Sequence, residues 1–197
     1  MSKKAAFPIV FAALLAGFAG IAQADLSETV VLVAKPELRA DPVFGSTILV
    51  VTSIGGEQHA GFIVNRPTPV KLGSVFPENG ASQKVVDPIY LGGPVDSDVI
   101  FALVPGSESP GKGSIQLLPG IFVAISANTV DRVITTDPER ARFLAGLVIW
   151  KPGELQEEIK QGLWYVLEPE PSLVLPSKTE GLWEELARRS KIAADAI

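Results

Sequence analysis

The chain has 197 residues, 47% hydrophobic and 20% charged, with 17 Lys and Arg against 22 Asp and Glu, a net charge of −5, one histidine and no cysteine. That length suits one domain with a sizeable core, and the acidic balance gives no global attraction to nucleic acid or anionic lipid. Disulfide bracing and a His/Cys zinc site are excluded, and no motif in the chain asks for a metal or a cofactor.

The first residues form an address. Lys3 and Lys4 make a basic start, Phe7 to Ile21 is apolar and uncharged, and Ala22-Gln23-Ala24 supplies small residues for cleavage. This pattern predicts a signal peptide over 1–24, cut before Asp25, and a single domain over 25–197 in the periplasm. The apolar run is shorter than the roughly 20 residues of a spanning helix and contains Pro8.

Beyond it, Thr29 to Ala34 and Ser46 to Thr52 have the β-branched, apolar character of strands. Gly55-Gly56-Glu57-Gln58 is a turn leading into Gly61 to Val64, which makes Ser46 to Val64 a hairpin. Val70 to Phe76 is a short helix or an extended piece. Val85 to Leu91, Val99 to Val104, Ile115 to Leu118 and Ile121 to Ile125 are further strands, with a Gly, Ser and Pro-rich loop over 105–113. Asn128 is placed to cap a helix through Ile134, and Asp137-Pro138-Glu139 to start another reaching about Leu144. Gly146 to Trp150 then returns as a strand. The best-marked helix runs from Pro152 to Gly162, with acids early, Lys160 late and a glycine able to adopt the left-handed conformation at its end. Trp164 to Leu167 and Ser172 to Leu175 are expected to be extended. A last helix from Thr179 puts Leu182, Trp183 and Leu186 on one stripe and frays beyond Arg188. Strands joined mostly by short turns predict an α+β fold with a mixed, mostly antiparallel, strongly curved sheet.

In four of these stretches, in this order, the chain resembles the AlgH/YqgE family of bacterial proteins. They are Leu32 to Phe44 (LVAKPELRADPVF), Gly61 to Pro67 (GFIVNRP), Tyr90 to Val95 (YLGGPV) and Gly146 to Trp164 (GLVIWKPGELQEEIKQGLW). The resemblance implies a bifurcated sheet curled into a pseudo-barrel with helices packed outside. It implies little about activity, since the family is described mainly as uncharacterised proteins or regulators, linked in one lineage to alginate control. Where the family often carries Glu-His after its second strand, this chain has Thr52-Ser53. The family is usually cytoplasmic, so the address makes this an exported member.

Asn65 and Arg66 stand at the end of an apolar strand, where Pro67 holds the chain extended. There the amide could orient a ligand, and the guanidinium could grip a carboxylate or phosphate. The bland alternative is that Asn65 satisfies nearby backbone and Arg66 pairs with a structural acid such as Glu158. Gly92 and Gly93 could present N–H groups to an anion, or simply mark two segments passing closely. Glu158, between Trp150 and Trp164, could be a general acid or base, or a paired carboxylate in a tryptophan-rich core. His59 is expected in a surface turn, and there is no Gly-x-Ser-x-Gly elbow to pair with it. The expectation is a non-catalytic binding or regulatory module whose partner is a protein or a small anionic ligand. The alternative is a small-molecule or anion-binding enzyme using the Asn65-Arg66 turn and Glu158.

Overall fold

The computed structural model describes residues 28–195, so the predicted leader over 1–24 lies outside the described residues. The strands are β1 Val30–Ala34, β2 Ile48–Gly55, β3 Gln58–Ile63, β4 Pro67–Lys71, β5 Pro88–Leu91, β6 Val95–Pro105, β7 Ser114–Leu118, β8 Ile121–Ala124, β9 Arg142–Trp150 and β10 Trp164–Leu167. The helices are α1 Leu72–Val75, α2 Ala127–Thr136, α3 Glu154–Lys160, α4 Pro171–Val174 and α5 Leu182–Asp195. One sheet runs β10-β1-β2-β3-β9-β6-β8-β7, and β4 and β5 branch from it at β9. All pairings are antiparallel except that of β5 with β9.

β9 is the strand at which the sheet forks. Its second half pairs with β3, from His59↔Trp150 to Gly61↔Val148, whereas Leu144 and Ala145 pair with Tyr90 and Leu91 of β5. Its other edge carries β6. Gly92 stands in the crotch of the fork: its carbonyl accepts from Ile63 N at 2.8 Å and its N–H donates to Ala145 O at 2.7 Å. The residue after β5 thus bonds to both β3 and β9.

Alternation of side chains along the strands then sorts the core. The inner face gathers Val31, Val33, Ile48, Val50, Phe62, Phe101, Leu103, Val123 and Leu144, and it draws on both terminal strands, through Tyr165 and Leu167 of β10 and Leu117 of β7. Two edges of an open sheet share a cluster only if the sheet curls, which gives the half-barrel. Val174 of α4 and Trp183, Leu186 and Ala187 of α5 close this inner face, and Trp183 Nε1 donates to Ala34 O at 2.8 Å. On the outer face, Leu155 of α3 covers Leu32, Leu49, Val51 and Ile63. Val130, Val133 and Ile134 of α2 cover Ala102, Ala124 and Phe143. β1 is apolar at every position because it is buried on both faces.

Several local expectations change. The helix expected from Asp137 is only a turn over Pro138–Arg140, and Arg142 onward is strand; the capping signals are met locally, but β3, β5 and β6 compete for the following residues and win. Ser172 to Leu175 is not extended, since Pro171 opens a helical turn there. The cap of α2 is Ser126, which accepts from Thr129 N at 3.3 Å, rather than Asn128. α5 continues past Arg188 to Asp195. Pro67 and Pro69 lie in β4, an edge strand bonded only to β5 among the described residues, where a missing N–H is tolerated.

Candidate functional site

The geometry around Asn65 and Arg66 starts from the loop between β1 and β2. The Asp41 carboxylate accepts from Val43 N at 2.8 Å and Phe44 N at 2.7 Å, folding the loop into a turn. Gly45 allows that turn to close, because a Cβ there would lie 2.6 Å from the carbonyls of Arg39 and Asp41. The closed loop aims a set of carbonyls at β3. Arg66 donates through Nη1 to Val43 O at 2.8 Å and Pro42 O at 3.4 Å, and through Nη2 to Gly45 O at 2.9 Å. Asn65 accepts from Ile48 N and donates to Ser46 O, both at 2.9 Å. The amide thereby continues the β2 ladder past the end of β3.

The same loop reaches the tryptophans. Phe44 and Trp164 meet in a T-shaped pair, with ring centroids 5.7 Å apart at 82°. Trp164 Nε1 donates to Glu158 Oε2 at 2.8 Å, and Trp150 Nε1 donates to the same oxygen at 3.0 Å. α3 sets this up: Glu158 projects from it toward the last residue of β9 and the first of β10, and Gly162, at φ +77°, turns the chain back after it. Gly61 lies beneath the Trp150 ring, where a Cβ would come within 2.6 Å.

Gly92 and Gly93 sit at the fork, where backbones pass closely. Neither takes a positive φ; what each lacks is room. A Cβ on Gly92 would lie 2.2 Å from Gly146 O, and one on Gly93 2.2 Å from the Leu147 carbonyl. Gly146 itself needs its φ of +74°, which a side chain would strain.

Asn65, Arg66, Glu158, Gly92 and Gly93 are therefore linked through one continuous knot of hydrogen bonds, ring contact and close backbone. Arg66 and Glu158 do not pair. The guanidinium finds neutral carbonyls and the carboxylate finds indole N–H groups, so each charge is satisfied without the other. His59 is 3% exposed and paired in register with Trp150, not in a surface turn. The turn ends at Glu57, so β3 already begins at Gln58 and carries His59 between β2 and β9. Among the described residues no three His, Asp or Glu side chains converge as a metal group would.

Sequence reasoning missed Arg142. It heads β9, is 6% exposed, donates to Pro176 O at 2.6 Å and Val64 O at 3.4 Å, and stacks over the Tyr90 ring at 4.3 Å. Nε finds no acceptor among the described residues. Burial pulls the guanidinium below its ordinary pKa, opposed by attraction to Tyr90 and Asp87. The available signal was the period of two: Arg142 shares a face with Leu144, which points inward.

The fold is a half-barrel α+β domain whose forked sheet is tied to its outer helix α3 through Trp150, Glu158 and Trp164. The AlgH-like family profile matches residues 31–195, and the chain belongs to that family. A UPF0301 protein of Streptomyces coelicolor is 32% identical over 164 residues, covering 81% of this chain and 84% of the relative. One from Myxococcus xanthus is 29% identical over 160 residues, covering 80% and 87%. Among solved structures, the AlgH protein from Pseudomonas aeruginosa superimposes with a TM-score of 0.68 at 23% identity, covering 85% of this chain and 90% of that one. A Corynebacterium diphtheriae protein gives 0.66 at 21% identity, covering 83% and 86%. These two likenesses establish the fold.

If the Glu158 carboxylate serves as acceptor for two indoles, Glu158→Ala will lower unfolding stability by about 2–4 kcal/mol, two charge-assisted hydrogen bonds being lost at once. Glu158→Gln, which keeps an acceptor oxygen, is expected to lose less than half of that. Urea unfolding followed by tryptophan fluorescence measures both. An alanine cost within about 0.5 kcal/mol, as for an ordinary surface change, would show that the carboxylate holds nothing.

Proposed function

We propose that this chain is a non-catalytic binding or regulatory module of AlgH-like type that acts after export to the periplasm. The observation supporting the non-catalytic reading is that both amino groups of Arg66, the Asn65 amide and one Glu158 oxygen are engaged within the fold. Each of those bonds that a substrate displaced would cost about 1–3 kcal/mol. The export reading is supported by Lys3 and Lys4, the apolar run from Phe7 to Ile21 and Ala22-Gln23-Ala24.

The test has two arms. Thermal-shift screening with nucleotides, sugar acids and divalent ions is expected to leave the melting temperature unchanged, while Arg66→Ala lowers it without any ligand. Stabilisation by one of these classes, abolished in Arg66→Ala, would favour the anion-binding enzyme instead, because a ligand that binds only the native state raises apparent stability. For export, the mature N-terminus is expected at Asp25 in a periplasmic fraction; an intact Met1 in the cytosol would refute it.

A further inference from the structure

The asparagines of the chain are Asn65, Asn79 and Asn128, and only Asn79 is followed by glycine. The backbone nitrogen after an asparagine can attack the side-chain carbonyl and close a small ring, and a residue without Cβ leaves that approach open. The structure holds the reacting atoms of the three sites very differently.

Asn65 is bound at both ends of its amide, through Oδ1 to Ile48 N and through Nδ2 to Ser46 O, and the long side chain of Arg66 follows. Asn128 lies inside α2, where the next nitrogen, that of β-branched Thr129, already donates to Ser126. Asn79 stands in the turn between α1 and a short helical turn over Ser82–Lys84; it is half-buried and Gly80 is exposed. Both hydrogen bonds of its side chain among the described residues end on Oδ1, from Ala81 N at 3.0 Å and Ser82 N at 3.4 Å. The amine is therefore free to leave. Gly80 N, the atom that attacks, donates to no group among the described residues, and nothing lies within 4 Å of where a Gly80 Cβ would stand.

We propose that Asn79 is a site of spontaneous modification in the folded protein, converting to aspartate and isoaspartate through a cyclic imide. Hydroxide or water takes the Gly80 N–H proton, a bond forms from Gly80 N to Asn79 Cγ, and the Cγ–Nδ2 bond breaks as the amine gains a proton and departs as ammonia. Negative charge develops on Oδ1 during the attack, and the N–H groups of Ala81 and Ser82 already donate to that atom. Solvent water then opens the ring, giving aspartate at the side-chain carbonyl or isoaspartate at the backbone carbonyl, with nothing oxidised or reduced. Either product adds one negative charge to a chain of net charge −5. Isoaspartate also inserts a carbon into the backbone just ahead of Ser82, which is fully buried with its Oγ 2.7 Å from Phe76 O and 2.6 Å from Asn79 O. The proposal concerns the chemistry of this turn and does not rest on the binding-module reading.

The full chain, incubated folded in mildly alkaline buffer, is read by peptide mass spectrometry at each asparagine, with electron-transfer fragmentation to separate aspartate from isoaspartate. Asn79 is expected to convert about tenfold or more faster than Asn65 or Asn128, with isoaspartate among the products, and Gly80→Ala to slow it about tenfold or more. Alanine fits at position 80 without a clash and at an ordinary backbone angle, so an unchanged melting temperature assigns the slower rate to the blocked attack. Conversion at Asn79 no faster than at the other two overturns the proposal, as does a rate that Gly80→Ala leaves unchanged. Conversion only in urea overturns it too, since the folded turn would then shield the site, and aspartate without isoaspartate would replace the ring with direct hydrolysis.

Discussion

Gly93→Ala is expected to destabilise the protein by about 3 kcal/mol or more, the upper end for overpacking, because the clash is with backbone rather than a movable side chain. The added methyl would lie 2.2 Å from the carbon and oxygen of the Leu147 carbonyl and 2.7 Å from Val148 N. β9 cannot step aside, since β3 and β6 hold it from both edges next to this point. A fold of this size has about 5–15 kcal/mol in total, so a loss of that order should be plain in a urea titration and in expression yield. Gly80→Ala is the control: nothing lies within 4 Å of its Cβ position and its φ is not positive. A Gly93→Ala protein as stable as the control would mean that the fork is far looser than the geometry described here.

The second large effect is expected at Arg142. Arg142→Ala removes the donors of Val64 O and Pro176 O and opens a cavity against Tyr90, at a cost of about 3–5 kcal/mol. Arg142→Met keeps most of the volume and removes a charge whose burial is itself unfavourable, and exchange of a buried charge for an apolar group of similar size is often tolerated. Methionine is therefore expected to recover at least half of the alanine loss, read as unfolding midpoints at constant slope. Equal losses would mean that the hydrogen bonds to Pro176 and Val64 outweigh the desolvation. Because Pro176 precedes α5, the same pair of variants also reports how firmly the C-terminal helices are tied to the inner face.

Asn65, Arg66, Gly92 and Gly93 look like site residues in a linear sequence because they are polar or glycine and sit at the ends of apolar runs, and Glu158 because it stands between two tryptophans. In three dimensions the runs end at the same place, and the residues at their ends hold one another there. A motif can recur because it closes a fold, and Gly61, Gly92 and Gly93 here answer to a tryptophan ring and to crossing backbones.

Part of the fold was legible because it is local. Apolar runs bounded by Gly, Pro and Asp predict most of the strands, and acids before Lys160 with a glycine after it predict α3, since capping and turn chemistry act within a few residues. The half-barrel was legible only through resemblance, and so were the motifs. Competition decided the rest. Arg142 to Ala145 became strand because β5 and β6 were waiting beside them, and no window around Asp137 contains those partners. His59 was buried because β2 and β9 flank it.

For Arg66 and Glu158 the sequence determined the chemistry available, a guanidinium fork and a carboxylate, but not the partners. The partners are carbonyls about 20 residues away and two indoles that a helix brings round. Only the packed chain chooses between a ligand and a neighbour, because a charged group takes whichever acceptors or donors the fold has already placed within 3 Å.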